Sequence, residues 1–566
     1  MTSEVEDEGV EFREVAPKER RVLEADLFAE GTWSPTAKRL DFMRGVTTYP
    51  LPMQSVYLMT REELRELYAA AEVVPATAID PMIELGTYVG AEGSVARASI
   101  DRMFAQHCAV LGSTGSGKSG AVAAIIHSIL GRKIGAEAPL RPRIILIDPH
   151  GEYSRAFSNR AIVYRAFDTV PGETQTESSE LKLPYWLMSG EEFRSLVIGK
   201  TEDEATSQNN IVYKALSHSR MVQAGLIEPA KDWTQEAEQN ATAEPDEPRP
   251  LPNVTRNDIE SFNRDLPRPF SLQEFRNHIR WEQGVTWNAT TRSWKAKSPT
   301  DFKSHRSILD KLSVLDSDVR LRFLMSEYVE GRDPSLEEVI AQFVGRVGEN
   351  PDVDIRIIDT SGLPNEVAGP LTAAISRLLF QYKVWQTRAE RERDPVALIF
   401  EEAHRYVPNQ GQAEYEAAQG AIRRIAKEGR KYGLGLMLVS QRPSDVEPTV
   451  LSQCNTWLIL RLTNATDQNL VSRFLPDSLT GLTRLLPSLG RREAIFVGEA
   501  ASLPARIRIR ELLESEQPRS NDVSFAAGWA QAPLELQEIE PVVGRWTRRP
   551  DPQAAQEAAA GADPEL

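Results

Sequence analysis

HCAVLGSTGSGKSGAVAAIIHSILG, residues 107–131, is the stretch whose reading decides the fold. The apolar run HCAVLG predicts a short buried strand. It ends in Gly112-Ser113-Thr114-Gly115-Ser116-Gly117-Lys118-Ser119, which satisfies G-x-x-x-x-G-K-[ST]. Beyond it Val122, Ile125, Ile126, Ile129 and Leu130 recur at helical spacing, and Gly131 is placed to end the helix. Strand, glycine loop, Lys-Ser and helix in this order make a phosphate cradle. The glycines let the backbone wrap phosphate oxygens, and successive N–H groups and the helix N-terminus face the anion. Lys118 reaches the β- and γ-phosphates, and Ser119 offers a hydroxyl to Mg²⁺. Residues 112–119 are therefore the candidate contacts of a nucleoside triphosphate.

A cradle needs acids nearby. LIFEEAHRYVP, residues 398–408, is an apolar strand that ends in Glu401 and Glu402. In P-loop enzymes an acid at the end of a neighbouring strand helps hold Mg²⁺, usually through water, and a second polarises the attacking water. Glu401 is the expected magnesium-side acid and Glu402 the expected base. Glu at 401 is one methylene longer than the usual Asp, so the two roles are open to exchange. LMLVSQRPSD places Gln441 at the tip of another strand, within reach of a γ-phosphate or its attacking water; a solvated strand end is the plainer alternative. RRIAKEGRKYG, residues 423–433, has five basic residues and one acid before Tyr432. A basic helix end usually just compensates the dipole. Here an arginine acting across a subunit interface is the competing expectation, with Arg430 first and Arg424 in reserve.

Outward from these motifs, apolar strands recur at 143–149, 355–360, 396–400, 435–440 and 456–462, several of them separated by helical stretches. This alternation predicts an α/β fold with a mainly parallel sheet covered on both faces. The distance from RIILIDP to IRIIDT is too long for a βα connection, so 166–350 reads as a mostly helical insertion, with a loop at DWTQEAEQNATAEPDEPRPLPN. The division expected is 1–100, a small β-rich domain with one helix at TREELRELYAAAE; 101–165 with 351–515, the core; and 516–566, an extension with a low-complexity end.

The chain has 566 residues and a formal net charge of −16, so it lacks a global basic signature, although a local basic surface would suffice for nucleic acid. Its two cysteines, Cys108 and Cys454, have no metal-type spacing and suit a reducing cytoplasm. The start, MTSEVEDEGVEF, has no apolar core of a signal peptide. No run of about 18 apolar residues predicts a membrane span. An Asn-Lys-x-Asp guanine-reading motif is absent, which disfavours a small GTPase.

Five stretches in order, RMFAQHCAVLGSTGSGKS, ILIDPHGEY, IFEEAHRYVP, IAKEGRKYGLGLMLVSQRP and LSQCNTWLILRLTNATDQ, resemble the HerA branch of the HerA/FtsK ATPases over residues 100–500. The resemblance implies a RecA-like core preceded by a small β-barrel (the HAS type), ATP and Mg²⁺ as ligands, and Asp148 near the nucleotide. It implies a homo-hexamer that moves double-stranded DNA through its pore, with RYVPNQGQ at 405–412 a candidate pore segment. It also implies an effector partner, a nuclease such as NurA or a sirtuin-like protein, and a role in DNA end processing or antiphage defence. A ring that recruits an effector without moving DNA is the alternative from another class.

Overall fold

A computed structural model of the chain describes residues 27–547 apart from 73–78, 135–137, 168–177, 199–204, 231–249, 297–302, 347–352, 410–415, 520–523 and a few single or paired positions. The acidic start, most of the 232–253 loop, the far end of the 405–412 segment and the tail from 548 lie outside the described residues.

In chain order the strands are β1 (Ala29–Ser34), β2 (Arg39–Arg44), β3 (Met82–Tyr88), β4 (Val95–Ser99), β5 (Cys108–Leu111), β6 (Lys133–Ile134), β7 (Ala138–Pro139), β8 (Ile144–Asp148), β9 (Ala161–Arg165) and β10 (Ser178–Glu180). There follow β11 (Val285–Asn288), β12 (Ser293–Ala296), β13 (Ile355–Asp359), β14 (Val396–Phe400), β15 (Leu434–Ser440), β16 (Thr456–Ile459), β17 (Glu493–Gly498) and β18 (Ala505–Ile509). Helix α1 (Arg61–Ala71) precedes β3, and α2 (Ile100–Ala105) and α3 (Lys118–Leu130) flank β5 in the chain.

Twelve strands form one sheet in the order β10-β9-β13-β8-β14-β15-β5-β16-β17-β18-β3-β4. Pairing is parallel from β10 to β16 and antiparallel from β16 to β4. The fold is therefore α/β with a large, mostly parallel sheet. Successive strand residues face opposite sides: Ala109, Leu111, Ile145 and Ile147 enter one core, Cys108, Val110, Ile144 and Leu146 the other. α3 covers the second face with Val122, Ile125, Ile126 and Ile129. The first face is covered by the helix Asn365–Trp385 and by helices from 190–344. In that stretch the hairpin β11–β12 is the exception to helix.

The N-terminal region differs from a separate barrel: no closed barrel occurs among the described residues. β1 and β2 form a two-stranded hairpin, whereas β3 and β4 extend the large sheet from the open edge of β18. Gly86 makes that docking possible, since a Cβ there would sit 2.0 Å from the carbonyl oxygen of Arg508. Among the described residues no helix is long and apolar enough to cross a membrane.

Candidate nucleotide-binding site

The cradle lies where β5 gives way to α3. Gly115 (φ +73°) and Gly117 (φ +101°) adopt left-handed backbone that other residues take up only at a cost. Gly112 is required by space: its Cβ would approach Ser116 Oγ to 2.6 Å and Leu460 Cβ to 2.9 Å. The loop is tied to its neighbours by Gly112 N–H donating to Ser440 O (3.2 Å) and Ser113 N–H to Arg461 O (2.8 Å). Lys118 and Ser116 are buried, and Ser116 Oγ has no hydrogen-bond partner among the described residues.

Sheet order brings the acids to the cradle. β15 lies between β5 and β14, so the end of β14 with Glu401 and Glu402 stands two strands from the loop. One cleft of about 980 Å³ is lined by Thr114, Gly115, Gly117, Lys118, Ser119, Asp148, Glu401, Glu402 and Gln441. Gln441 occupies the tip of β15, and its Oε1 accepts a hydrogen bond from Thr114 Oγ1 at 2.6 Å. The half-buried side chain is thus tied to the exposed Thr114 of the cradle.

The two acids are in different electrostatic states. Glu401 is fully buried and its pKa is pushed up to about 8, first by burial and then by the charges of Glu402 and Asp148; the Tyr153 hydroxyl donating to its Oε1 and the Lys118 charge oppose the rise. Burial also acts to raise Glu402, but His404 and Lys118 outweigh it and hold the carboxyl below its ordinary value. Glu402 Oε2 lies 3.2 Å from His404 Nδ1, without the alignment of a hydrogen bond.

Asp148 ends β8 and lines the cleft, but its carboxylate is engaged in a turn. It accepts N–H bonds from His150 (3.1 Å), Gly151 (2.9 Å) and Tyr153 (3.0 Å), while burial pushes its pKa up to about 7. Arg430 is elsewhere. It sits exposed in a short turn before β15, at the strand-start end of the sheet opposite the cradle, and it does not line the cleft of its own chain. Arg424 is also exposed, stacked over the Phe380 ring at 4.6 Å.

Sequence reasoning missed several cleft residues. Tyr153 carried a signal, since it closes the DPHGEY stretch, but its contact with Glu401 depends on burial and packing. Arg491, Arg492, residues 509–512, Gln517 and Pro518 line the cleft from the far end of the chain. Arg492, at φ +66°, contacts the loop through its N–H to Ser116 O (3.5 Å) and pairs with Glu511 (3.3 Å).

A strand-to-helix glycine cradle, facing paired acids across one intervening strand of a largely parallel sheet, defines a P-loop NTPase with a RecA-like core. Residues 83–379 match the family described as "Helicase HerA, central domain", and the chain belongs to that HerA family. It is 25% identical over 460 residues to the DNA double-strand break repair helicase HerA of Pyrococcus furiosus, covering 76% of this chain and 70% of the relative. It is 27% identical over 430 residues to the probable DNA double-strand break repair helicase HerA of Methanocaldococcus jannaschii, covering 72% of each. Among solved structures, the bacterial conjugative coupling protein TrwB aligns over 83% of this chain and 97% of its own, at 14% identity and a TM-score of 0.46. VirB4 of Thermoanaerobacter pseudethanolicus aligns over 77% and 98%, at 15% identity and a TM-score of 0.44.

Proposed function

We propose that this chain hydrolyses ATP to drive movement along double-stranded DNA, as a homo-hexameric ring that works with an effector enzyme. The observation that carries the reading is the convergence of the 112–119 cradle, the Glu401–Glu402 pair and Gln441 on one cleft. The donor set fits the ligands. The backbone wraps tightly at Gly112, a buried ammonium waits at Lys118, and Ser119 with Glu401 offers the hard oxygens that Mg²⁺ prefers. Mg²⁺ held there would neutralise phosphate charge. Lys118 binds the outer phosphates, and Glu402, kept ionised by His404 and Lys118, takes a proton from the attacking water. Glu401 and Asp148 are raised to about 8 and about 7, so the nucleotide-free cleft carries less negative charge near neutrality than its carboxyl count suggests, which favours a triphosphate.

In this reading Arg430, exposed at the strand-start end of the sheet and away from the cleft of its own chain, faces a nucleotide held by another subunit of the ring, where it would stabilise transition-state charge. DNA contact would be mainly to phosphates, independent of sequence and sensitive to salt. The effector belongs to the nuclease or sirtuin-like classes, in DNA end processing or antiphage defence. Steady-state ATP turnover with and without duplex DNA tests the reading. Stimulation by DNA, with Lys118→Ala and Glu402→Gln nearly inactive in a ring that still assembles, is the expected result. Turnover close to wild type in either variant removes the assigned roles. Normal turnover that ignores DNA points instead to a ring serving as an assembly platform.

A further inference from the structure

We infer that Ile509, Leu512, Gln517 and Pro518, on the chain leaving β18, form the nucleobase slot of this cleft, and that Gln517 reads the 6-amino group of adenine. The inference rests on the triphosphate reading above. The loop and acids fix the phosphate end of the cleft; Ile509, Leu512, Gln517 and Pro518 line it from the opposite terminus of the chain. These residues form a braced hook. Arg510 Nε donates to Ser128 Oγ (3.3 Å) and its Nη1 to Glu516 Oε2 (3.4 Å), while Glu516 Oε1 lies 3.8 Å from His127 Nδ1. His127 and Ser128 stand nearly three turns along α3 from Lys118, about 15 Å at 1.5 Å per residue, a separation on the scale of an extended nucleotide. Past Pro518 the hook returns to the Asp148–Tyr153 turn, where Arg519 N–H donates to Glu152 O at 3.0 Å.

The chemistry of this wall differs from the rest of the cleft. Ile509 and Leu512 are buried and Pro518 half-buried, and they give the apolar surface on which a purine ring packs. Gln517 supplies a polar edge. Its amide nitrogen donates to Leu512 O at 3.1 Å, which leaves the amide oxygen as the group offered to a ligand. That oxygen accepts from the 6-amino group of adenine. Against guanine it meets a 6-oxo group, another acceptor, and neither is satisfied.

The test measures binding of ATP, GTP and inorganic tripolyphosphate to the full chain by calorimetry. The wild type is expected to bind ATP about tenfold more tightly than GTP, one hydrogen bond's worth. Gln517→Ala, at an exposed side chain, should erase that preference and leave tripolyphosphate binding intact. Leu512→Ser should weaken ATP and GTP together by about tenfold or more, again sparing tripolyphosphate. Leu513→Ala, exposed and off the cleft, is the matched control and should bind as the wild type does. An undiminished ATP preference in Gln517→Ala, or equal losses of ATP and tripolyphosphate in Leu512→Ser, overturns the slot. A wild type that binds tripolyphosphate but ignores the base also overturns it, whereas one that binds neither ATP nor tripolyphosphate overturns the nucleotide reading itself.

Discussion

Replacing Tyr153 with Phe removes one oxygen from the site and tests how Glu401 is held. The Tyr153 side chain is wholly buried, its ring stacks on Phe157 (centroids 6.3 Å apart, planes 7° apart), and its hydroxyl donates to Glu401 Oε1. Phenylalanine keeps the ring and the stacking, so the fold should survive with a loss of about 1 kcal/mol or less. The consequence falls on Glu401, which loses the donor that opposes the rise of its pKa and fixes its position. In the ATP-loaded site, where Glu401 would be ionised to hold Mg²⁺, a hydrogen bond to its carboxylate contributes about 1.5–3 kcal/mol, more than in the empty site where burial keeps the group largely neutral. If that interaction serves the reacting geometry, kcat for ATP falls about ten- to a hundredfold. KM should change little, because Tyr153 acts through Glu401 and the cradle is untouched. Steady-state turnover at saturating DNA gives the split, and thermal unfolding shows whether the fold is kept. A cycle with Glu401→Gln completes the assay: once the carboxylate is neutral, the Tyr153 change should cost much less, a coupling of about 1 kcal/mol or more. Unchanged kcat, or losses that simply add across the two sites, would refute the positioning role.

Other substitutions probe the frame around the site. Gly112→Ala places a Cβ 2.6 Å from Ser116 Oγ and 2.9 Å from Leu460 Cβ, so the loop must shift; ATP affinity should fall by about tenfold or more in a titration, with a stability loss of about 1–3 kcal/mol. Glu493 is held down at about 2 by the Arg506 side chain and, with burial opposing, by Arg508 and Gly490. A depressed carboxylate stabilises the fold above its unfolded value of 4.5 and loses that contribution as pH falls toward 2. Denaturant unfolding should therefore show Glu493→Gln less stable by about 1–2 kcal/mol at pH 7, the gap closing through that window. His278 is buried and lowered from 6.5 to about 3, first by burial and then by the charge of His218, with Glu282 opposing and Lys214 and His305 adding to the fall. The unfolded chain then binds the extra proton below pH 6.5, so stability declines from there toward pH 3. About 2 kcal/mol should be gone by pH 5 in the wild type, and His278→Gln should lack this component of the slope.

What the sequence revealed of the fold and site follows the range of the interactions involved. The cradle, α3, and the strands ending at Asp148, Glu401 and Gln441 are written in contiguous patterns: a glycine motif, a helical apolar stripe and all-apolar runs. Strand pairing is not. That β3 and β4 would join β18 depends on a contact between Gly86 and the backbone at Arg508, hundreds of positions away, and on an open sheet edge that composition does not disclose. The same reason hid Arg491, Arg492 and the hook at 509–518, which reach the cleft through the antiparallel return of β17 and β18. Asp148 was placed near the nucleotide by the family resemblance alone, and its work as acceptor for three turn N–H groups depends on backbone geometry that no spacing rule reads.

The pairing of Glu401 with Glu402 has its own explanation in the backbone. Two successive residues of a regular strand point to opposite faces, so an extended chain would bring only one carboxylate to the cleft. The chain leaves β geometry at Glu402, which adopts φ +50° and opens the turn Ala403–Arg405, and both side chains line the same cleft. A left-handed non-glycine residue costs about 1–2 kcal/mol, and the packing of Ala403, Tyr406 and Val407 beneath the turn offsets it. The tip of β15 then joins the two halves of the site. Ser440 Oγ lies 3.3 Å from His404 Nδ1, the group that faces Glu402, while the next residue, Gln441, accepts from Thr114 of the cradle. Adjacent residues at the end of one strand, joined by a single peptide unit, therefore contact the base side and the phosphate side.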